Sequence, residues 1–134
     1  MEPKGGLPQP AERVDNDFSR LFAGEILLAV ETLNVDAASF RQMEEASGGA
    51  HPGDLEAAVA ETVLRTVLNR GKQHNPVTGS GGMLLGRVLQ LVPREGAEKN
   101  KSTEPDLRVG DRVATLVSLS LTPLRVDAIK AVRR

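Results

Sequence analysis

The spacing of the apolar segments constrains the fold of this chain more than any other feature of its sequence. Three stretches rich in aliphatic and β-branched residues, at 25–33, 83–92 and 111–121, have the length and flanks of strands. Irregular loops with glycine and proline separate them, and no regular strand–helix–strand rhythm is present. The pattern therefore predicts an α+β, mainly β fold with a barrel-like antiparallel sheet, and disfavours a doubly wound parallel sheet.

The third of these stretches has the clearest alternation. Its apolar face is predicted to comprise Val113, Thr115, Val117, Leu119 and Leu121. Pro123 is expected to end the strand, because proline cannot donate to a ladder. In the second stretch, Gly86 indicates a bulge or a close approach of another backbone.

Two segments have helical patterns. Asp36 is predicted to cap a helix that continues to Ala46. Residues 54–70 form the clearest helix, with Asp54 as the predicted N-cap and Gly71 as the stop. The apolar face of that helix is predicted to comprise Leu55, Val59, Val63 and Val67, with Ala60, Leu64 and Leu68 beside them.

Composition excludes several classes of function. The 134 residues fit one domain, and 17 basic against 18 acidic side chains leave a net charge of −1, which gives no bulk attraction to nucleic acid or to an anionic membrane. The absence of Cys excludes disulfides, iron–sulfur clusters and Cys nucleophiles within the chain. Residues 1–10 lack the apolar core of a signal peptide, so a cytoplasmic location is expected.

The segment 74–86 is the most unusual part of the sequence, because polar side chains stand there among four glycines. Glycine lets a backbone approach a ligand closely, and polar side chains then orient that ligand. His74 is the candidate catalytic residue, as a proton relay, because imidazole titrates near neutral pH. Asn75, Thr78 and Ser80 are candidate substrate-binding residues. The alternative is a hairpin loop whose glycines only supply positive φ.

Other motifs are weaker. His51 and His74 are 23 positions apart, which is not the spacing of a zinc site, and His51 is expected to be a solvated loop residue. The glycines of 79–82 lack the lysine of a phosphate-binding loop. The charged stretch 95–106 is expected to be a solvated loop.

Three segments resemble medium-chain dehydrogenase/reductases. Residues 107–113 (LRVGDRV) are similar to a signature of that superfamily. Residues 25–34 resemble its strand before the catalytic-residue helix, and residues 81–88 have the spacing of its G-H-E-x-x-G-x-V segment. All three occur in the expected order. The resemblance implies a GroES-like, partly open antiparallel β-barrel with peripheral helices, which is the catalytic domain of these enzymes.

Longer segments, at 2–10, 30–40, 70–86 and 110–124, resemble an amino-acid dehydrogenase family of anaerobic lysine fermentation. That resemblance implies an NAD- or NADP-dependent enzyme that oxidises L-erythro-3,5-diaminohexanoate to 5-amino-3-oxohexanoate and releases ammonia. For such a cationic small-molecule substrate, Asp36 is the candidate partner of an ammonium group.

The chain departs from the superfamily pattern in two respects. Gly82 and Met83 stand where zinc-dependent relatives have ligands, so no metal site is expected. No dinucleotide fingerprint is present, so residues 1–134 are expected to be a catalytic-domain fragment that lacks the Rossmann nucleotide-binding domain, and cofactor-binding residues are unknown. The activity of the chain alone and a homodimer are left open.

Two other functions remain open at the level of sequence. The chain is alternatively a non-enzymatic interaction module with a GroES-like barrel, in which the glycine-rich loop serves as a mobile partner-binding loop. It is also compatible with a zinc-independent quinone-reductase-like domain, for which Asn34 after the first strand is the supporting feature.

Overall fold

The computed structural model describes residues 7–8, 10–48, 52–94 and 106–133. The elements in chain order are β1 (Ile26–Asn34), α1 (Ala37–Ala46), α2 (Pro52–Arg70), β2 (Met83–Leu91), β3 (Arg112–Ala114) and a 3₁₀ helix at Leu119–Leu121. The strands form one sheet in the order β1-β2-β3. This arrangement confirms the predicted α+β class, both helices and the first two strands.

The sheet is antiparallel. The pairs between β2 and β3 are Leu85–Ala114, Gly86–Val113 and Arg87–Arg112. Next to β1, the Gly24 N–H donates to the Val92 carbonyl (2.9 Å) and the Val92 N–H donates to the Glu25 carbonyl (3.0 Å), so the start of β1 lies at the end of β2. The strands of the described residues form an open sheet and do not close into a barrel. The GroES-like barrel is therefore not confirmed.

The backbone of Gly86 lies against β1. A Cβ atom at this position would overlap the carbonyl oxygen of Ala29. The close backbone approach predicted from a glycine inside a strand pattern is thus confirmed.

The predicted strand 111–121 is wrong beyond Ala114. The ladder ends at Thr115, whose N–H donates to the Leu84 carbonyl at 2.9 Å. The Ser118 side chain then accepts a hydrogen bond from the Ser120 N–H and caps the 3₁₀ helix. Serine offers the backbone a local hydrogen bond that competes with a strand ladder. The alternation of apolar residues gives no information about this competing hydrogen bond. Leu116 in the same segment is 98% exposed.

The N-terminal boundary of α2 differs from the predicted one. α2 begins at Pro52, two residues before the predicted N-cap Asp54, which lies in the first turn instead. Proline is well suited to the first turn of a helix because its missing N–H has no helical partner there. Val59, Val63 and Val67 are buried as predicted, whereas Leu68 is 77% exposed.

The described residues divide into two compact units. The helical unit contains both helices and is drawn from Met1–Asn16, Asn34–Met83 and Leu116–Arg134. The sheet unit is drawn from Asp17–Leu33 and Leu84–Thr115. In the part of the chain that the structure describes, no helix has the length and apolar character needed to cross a membrane.

Irregular segments complete the helical unit around the end of α2. The Val14 N–H donates to the Arg70 carbonyl at 2.9 Å, and the Leu124 N–H donates to the Gly71 carbonyl at 2.7 Å. The Asn16 side chain donates to the Leu124 carbonyl at 2.7 Å. The chain that leaves α2 at Gly71 is therefore surrounded by other segments of the unit from its first residue.

Candidate functional site

The polar loop singled out from the sequence lies in the helical unit, between α2 and β2. Its ends are joined by a hydrogen bond from the Asn75 N–H to the Ser80 carbonyl (2.8 Å). A second bond, from the Gly79 N–H to the Asn75 carbonyl (2.9 Å), closes the turn inside it. The loop is thus internally hydrogen-bonded. His51 and residues 95–105 of the charged stretch lie outside the described residues.

Asn75 organises this loop. Its amide oxygen accepts hydrogen bonds from the N–H groups of Val77 (2.8 Å) and Thr78 (3.3 Å), and the residue is 2% exposed. Such side-chain bonds to the next residues are the usual way in which Asn stabilises a turn. The amide oxygen is therefore occupied by the loop, and the predicted contact of Asn75 with substrate stays a prediction.

A chain of side-chain hydrogen bonds connects the loop to α1. The Ser80 hydroxyl donates to Asp36 Oδ2 at 2.9 Å, and the hydroxyls of Thr78 and Ser80 are 2.7 Å apart. An ionised carboxylate only accepts, so the single Ser80 hydroxyl proton points to Asp36. The Thr78 hydroxyl must then donate to Ser80. The Thr78 oxygen also accepts from the Ser80 N–H at 3.4 Å, which leaves one lone pair of this exposed residue for a ligand that carries N–H groups.

Asp36 is the anionic centre of this arrangement. It is half-buried at the N-terminus of α1, where Oδ1 accepts from the Ser39 N–H (2.9 Å) and Oδ2 from the Ser39 hydroxyl (2.8 Å). Burial by itself would raise the pKa of Asp36, but the hydrogen bonds from Ser39 and Ser80 together hold that pKa below 3.8. Asp36 is therefore a carboxylate at neutral pH, and the sequence correctly predicted it as the cap of α1.

His74 is half-buried at the start of the loop. Burial, followed by the positive charges of Lys72 and Arg70, holds the pKa of His74 below its ordinary 6.5. The imidazole is therefore neutral at pH 7 and able to accept a proton. Its Nδ1 atom is buried and has no hydrogen-bond partner among the described residues, and no hydrogen bond within them connects His74 to Asp36.

Two further polar residues enter the interior of the helical unit directly before His74. Lys72 and Gln73 are both 0% exposed, and the Lys72 ammonium donates to the Pro8 carbonyl at 2.8 Å. Burial, and then the charge of Arg70, lowers the pKa of Lys72. Sequence reasoning missed this pair. No sequence signal indicated burial, because a run of polar residues directly after the glycine that ends α2 is usually assigned to solvent.

The end of the loop is fixed against Asn34, within the helical unit. Gly82 has a positive φ of 97°, and a Cβ there would overlap the carbonyl oxygen of Asn34. Only glycine allows this backbone conformation and this approach together. Because Asn34 is followed closely by Asp36, the contact holds the exit of the loop near the carboxylate that Ser80 binds.

The described residues do not fit a dinucleotide site of the Rossmann type. That site places pyrophosphate at the N-terminus of a helix after a glycine-rich turn in a parallel sheet. Here the glycine-rich loop leads into strand β2, and the sheet is antiparallel. No group of three or more metal-binding side chains is found within the described ranges. The absence of a zinc site stays a prediction.

Comparisons with known proteins agree with each other. Over residues 1–134 the chain matches the family described as the L-erythro-3,5-diaminohexanoate dehydrogenase N-terminal domain. It is 50% identical over 129 residues to proteins named L-erythro-3,5-diaminohexanoate dehydrogenase from Acetoanaerobium sticklandii and Fusobacterium nucleatum. The matched region covers 96% of this chain and 34% of each relative, so the chain spans about a third of the length of these curated relatives.

Proposed function

Because the chain belongs to the family of L-erythro-3,5-diaminohexanoate dehydrogenase N-terminal domains, we propose that it forms the substrate-handling part of a dehydrogenase for that amino acid. The reaction proposed is the NAD- or NADP-dependent oxidation of the 3-amino group, which yields 5-amino-3-oxohexanoate and ammonia. Segments of the full-length protein outside this chain are proposed to bind the nucleotide. A GroES-like fold of the N-terminal domain belongs to the same proposal.

The observation that carries the proposal is the carboxylate cluster formed by Asp36, Ser80 and Thr78. The substrate has two ammonium groups, which need an anion and hydrogen-bond acceptors. Asp36 supplies the negative charge, and the hydroxyl chain leaves one lone pair of the exposed residue Thr78 as an acceptor. In the proposal, an ammonium group of the substrate lies against this cluster.

His74 is proposed to accept the proton that the 3-ammonium group must lose before its carbon is oxidised. A neutral imidazole is required for this step, and burial together with the nearby cations Lys72 and Arg70 favours the neutral form. Water then adds to the iminium carbon and supplies the oxo group, and the imidazolium returns a proton to the departing ammonia. Asn75 holds the loop in shape between His74 and Ser80.

A chimera tests this assignment. This chain would replace the N-terminal third of the Acetoanaerobium sticklandii relative, and formation of reduced NAD or NADP would be followed with L-erythro-3,5-diaminohexanoate. We expect turnover by the chimera and a loss of kcat of roughly 10²- to 10⁴-fold in its His74→Ala variant. The matched control is His51→Ala, which replaces the other histidine and should leave kcat unchanged.

Two results would contradict the proposal. If His74→Ala retained full activity, the loop would have no part in proton transfer. A higher KM with unchanged kcat would make His74 a substrate-binding residue and would exclude it as the group that transfers the proton. The alternative function, a non-enzymatic interaction module, requires a mobile partner-binding loop. The internal hydrogen bonds of residues 75–80 do not favour such mobility.

A further inference from the structure

Gln73 carries polar groups that the fold leaves without partners. The residue is 0% exposed, and both Oε1 and Nε2 are buried with no hydrogen bond among the described residues. A carboxamide offers two N–H donors and one acceptor oxygen. Burying these groups unpaired costs free energy that a small domain can hardly spare. A hydrophobic residue of the same length would fill this position at lower cost.

The surroundings of Gln73 connect it to the candidate site. The main-chain carbonyl oxygen of Gln73 lies against Gly81, where a Cβ would come within 2.7 Å of that oxygen. Gly81 directly follows Ser80, whose hydroxyl binds Asp36. On the other side, the next residue is His74, whose buried Nδ1 also lacks a partner among the described residues. Two adjacent residues, Gln73 and His74, thus hold unpaired buried polar atoms, and the main chain of Gln73 lies against the residue that follows Ser80.

We propose that Gln73 is a substrate-binding residue whose carboxamide pairs with the carboxylate and the ammonium group of an amino-acid substrate. This inference rests on the proposed function and extends it to a residue outside the carboxylate cluster. Nε2 donates to a carboxylate oxygen, and Oε1 accepts from an ammonium N–H. In a 3-amino acid these two groups are close enough to meet one amide.

The neutrality of Gln73 suits this position. Lys72 is the neighbouring buried cation, and its ammonium is directed to the Pro8 carbonyl. An amide binds both charged ends of a zwitterion without adding a further charge to a buried position that adjoins Lys72. Because Gln73 is fully enclosed, the proposal requires a local opening at the adjacent loop, whose residues 76–78 are exposed and whose internal hydrogen bonds keep it closed until a ligand enters.

The test compares stability with affinity in the 134-residue chain. Gln73→Met keeps the length of the side chain and removes the amide. Its thermal midpoint without ligand and its Kd for L-erythro-3,5-diaminohexanoate, by isothermal titration, would be measured beside the wild-type chain. Gln90→Met is the matched control, since Gln90 is exposed on β2. We expect Gln73→Met to have an equal or higher midpoint and a Kd weaker by about 10- to 100-fold, with the control unchanged.

Each other outcome identifies what has failed. A lower midpoint for Gln73→Met, with or without weaker binding, would show that the amide stabilises the fold through an enclosed water, and would overturn the inference. Wild-type affinity in Gln73→Met would overturn it as well. If the wild-type chain did not bind the amino acid at all, the proposed function itself would fail. The absence of binding by the wild-type chain is distinct from equal binding by the wild-type chain and Gln73→Met, which contradicts only the role of Gln73.

Discussion

At the scale of single residues, Asp36 has two tasks that one substitution separates. As the N-cap of α1 it needs only an oxygen acceptor, and as a partner of an ammonium group it needs a negative charge. Asp36→Asn keeps the cap, because Asn caps helices about as well as Asp, and the hydroxyls of Ser39 and Ser80 can rotate to fit the amide.

We therefore expect Asp36→Asn to change the free energy of unfolding by less than about 0.5 kcal/mol and to raise KM for the diamino acid by about tenfold or more in the chimera. Urea titration and steady-state kinetics would measure the two effects. Asp36→Ala is the comparison, and it should lose about 1 kcal/mol of stability from the missing cap. An unchanged KM in Asp36→Asn would remove Asp36 from the substrate site.

His74 gives a pH dependence of stability whose sign follows from its lowered pKa. In the unfolded chain the imidazole titrates near 6.5, and in the folded chain burial, Lys72 and Arg70 hold the pKa lower. As pH falls below about 6.5, the unfolded state takes up the proton more readily, so folding stability falls until the pH passes the folded pKa. Above that window His74 contributes no pH dependence.

In His74→Gln this part of the acid destabilisation should disappear. The free energy of unfolding, from urea titrations at pH 7.5 and at pH 5.0, should fall less in the variant than in the wild-type chain. His51→Gln is the control and should show the wild-type difference. Equal losses in the wild type and His74→Gln would mean that the folded pKa of His74 is not lowered.

Residue types alone selected three residues that the structure brings together, although their part in substrate binding stays a prediction. Asp36, Thr78 and Ser80 were selected as separate polar candidates, and the structure connects them by hydrogen bonds. Gln73 was not selected, because glutamine is usually solvent-exposed and nothing in its sequence neighbourhood reveals that it is buried. Its burial depends on how the segment after Gly71 packs beneath distant parts of the chain, which a local pattern does not encode.

At the scale of elements, α2 was the most predictable part of the chain, because its apolar spacing repeats over several turns. The buried face of α2 is narrower in the structure than the apolar face predicted from the sequence. Val63 is 4% exposed, whereas Leu68 on the same helix is 77% exposed. Hydrophobicity alone treats the two residues alike, and only packing against the rest of the helical unit separates them.

Val63→Asp should therefore destabilise the chain by about 3–5 kcal/mol, because it places an unpaired charge in the core. Leu68→Asp makes the same change on the solvent side of α2 and should alter stability by no more than about 0.5 kcal/mol. Thermal melts followed by circular dichroism would compare them. Similar midpoints for the two variants would show that this face of α2 is not packed.

The third strand shows the limit of periodicity. Alternation over 113–121 is compatible with a long strand, but the strand ends at Ala114 and Ser118 caps a 3₁₀ turn in the same segment. The buried residue Leu119 reaches the interior from this turn rather than from a strand. Predicting the change would require knowing that the Ser118 hydroxyl has a backbone partner, which is a property of the folded chain.

At the scale of the whole molecule, the family and the architecture were predictable to different degrees. Several segments that occur in the expected order along the chain indicated a dehydrogenase family. Membership in the family follows from a match over residues 1–134. Closure into a barrel was not confirmed, because the short β3 leaves the described sheet with three strands. Barrel closure depends on strand number and register together, and a sequence pattern that overestimates one strand affects both.

In the proposed function, this chain handles the substrate and other segments of the full-length protein bind the nucleotide. The described sheet is antiparallel, and its glycine-rich loop leads into a strand, so neither presents a helix N-terminus to a pyrophosphate. We expect 1 mM NAD⁺ or NADP⁺ to leave the thermal midpoint of the 134-residue chain unchanged. The chimera, which adds the remaining two-thirds of the relative, should be stabilised by one of the two nucleotides.

The size of that effect decides the result. A nucleotide at about 100 times its Kd stabilises the folded state by about 2.7 kcal/mol, which raises the midpoint of a domain of this size by several degrees. Adenosine at the same concentration controls for weak binding of the base. A rise of several degrees for the 134-residue chain with NAD⁺ or NADP⁺, absent with adenosine, would place a dinucleotide site within these residues. The division of roles between this chain and the rest of the enzyme would then be wrong.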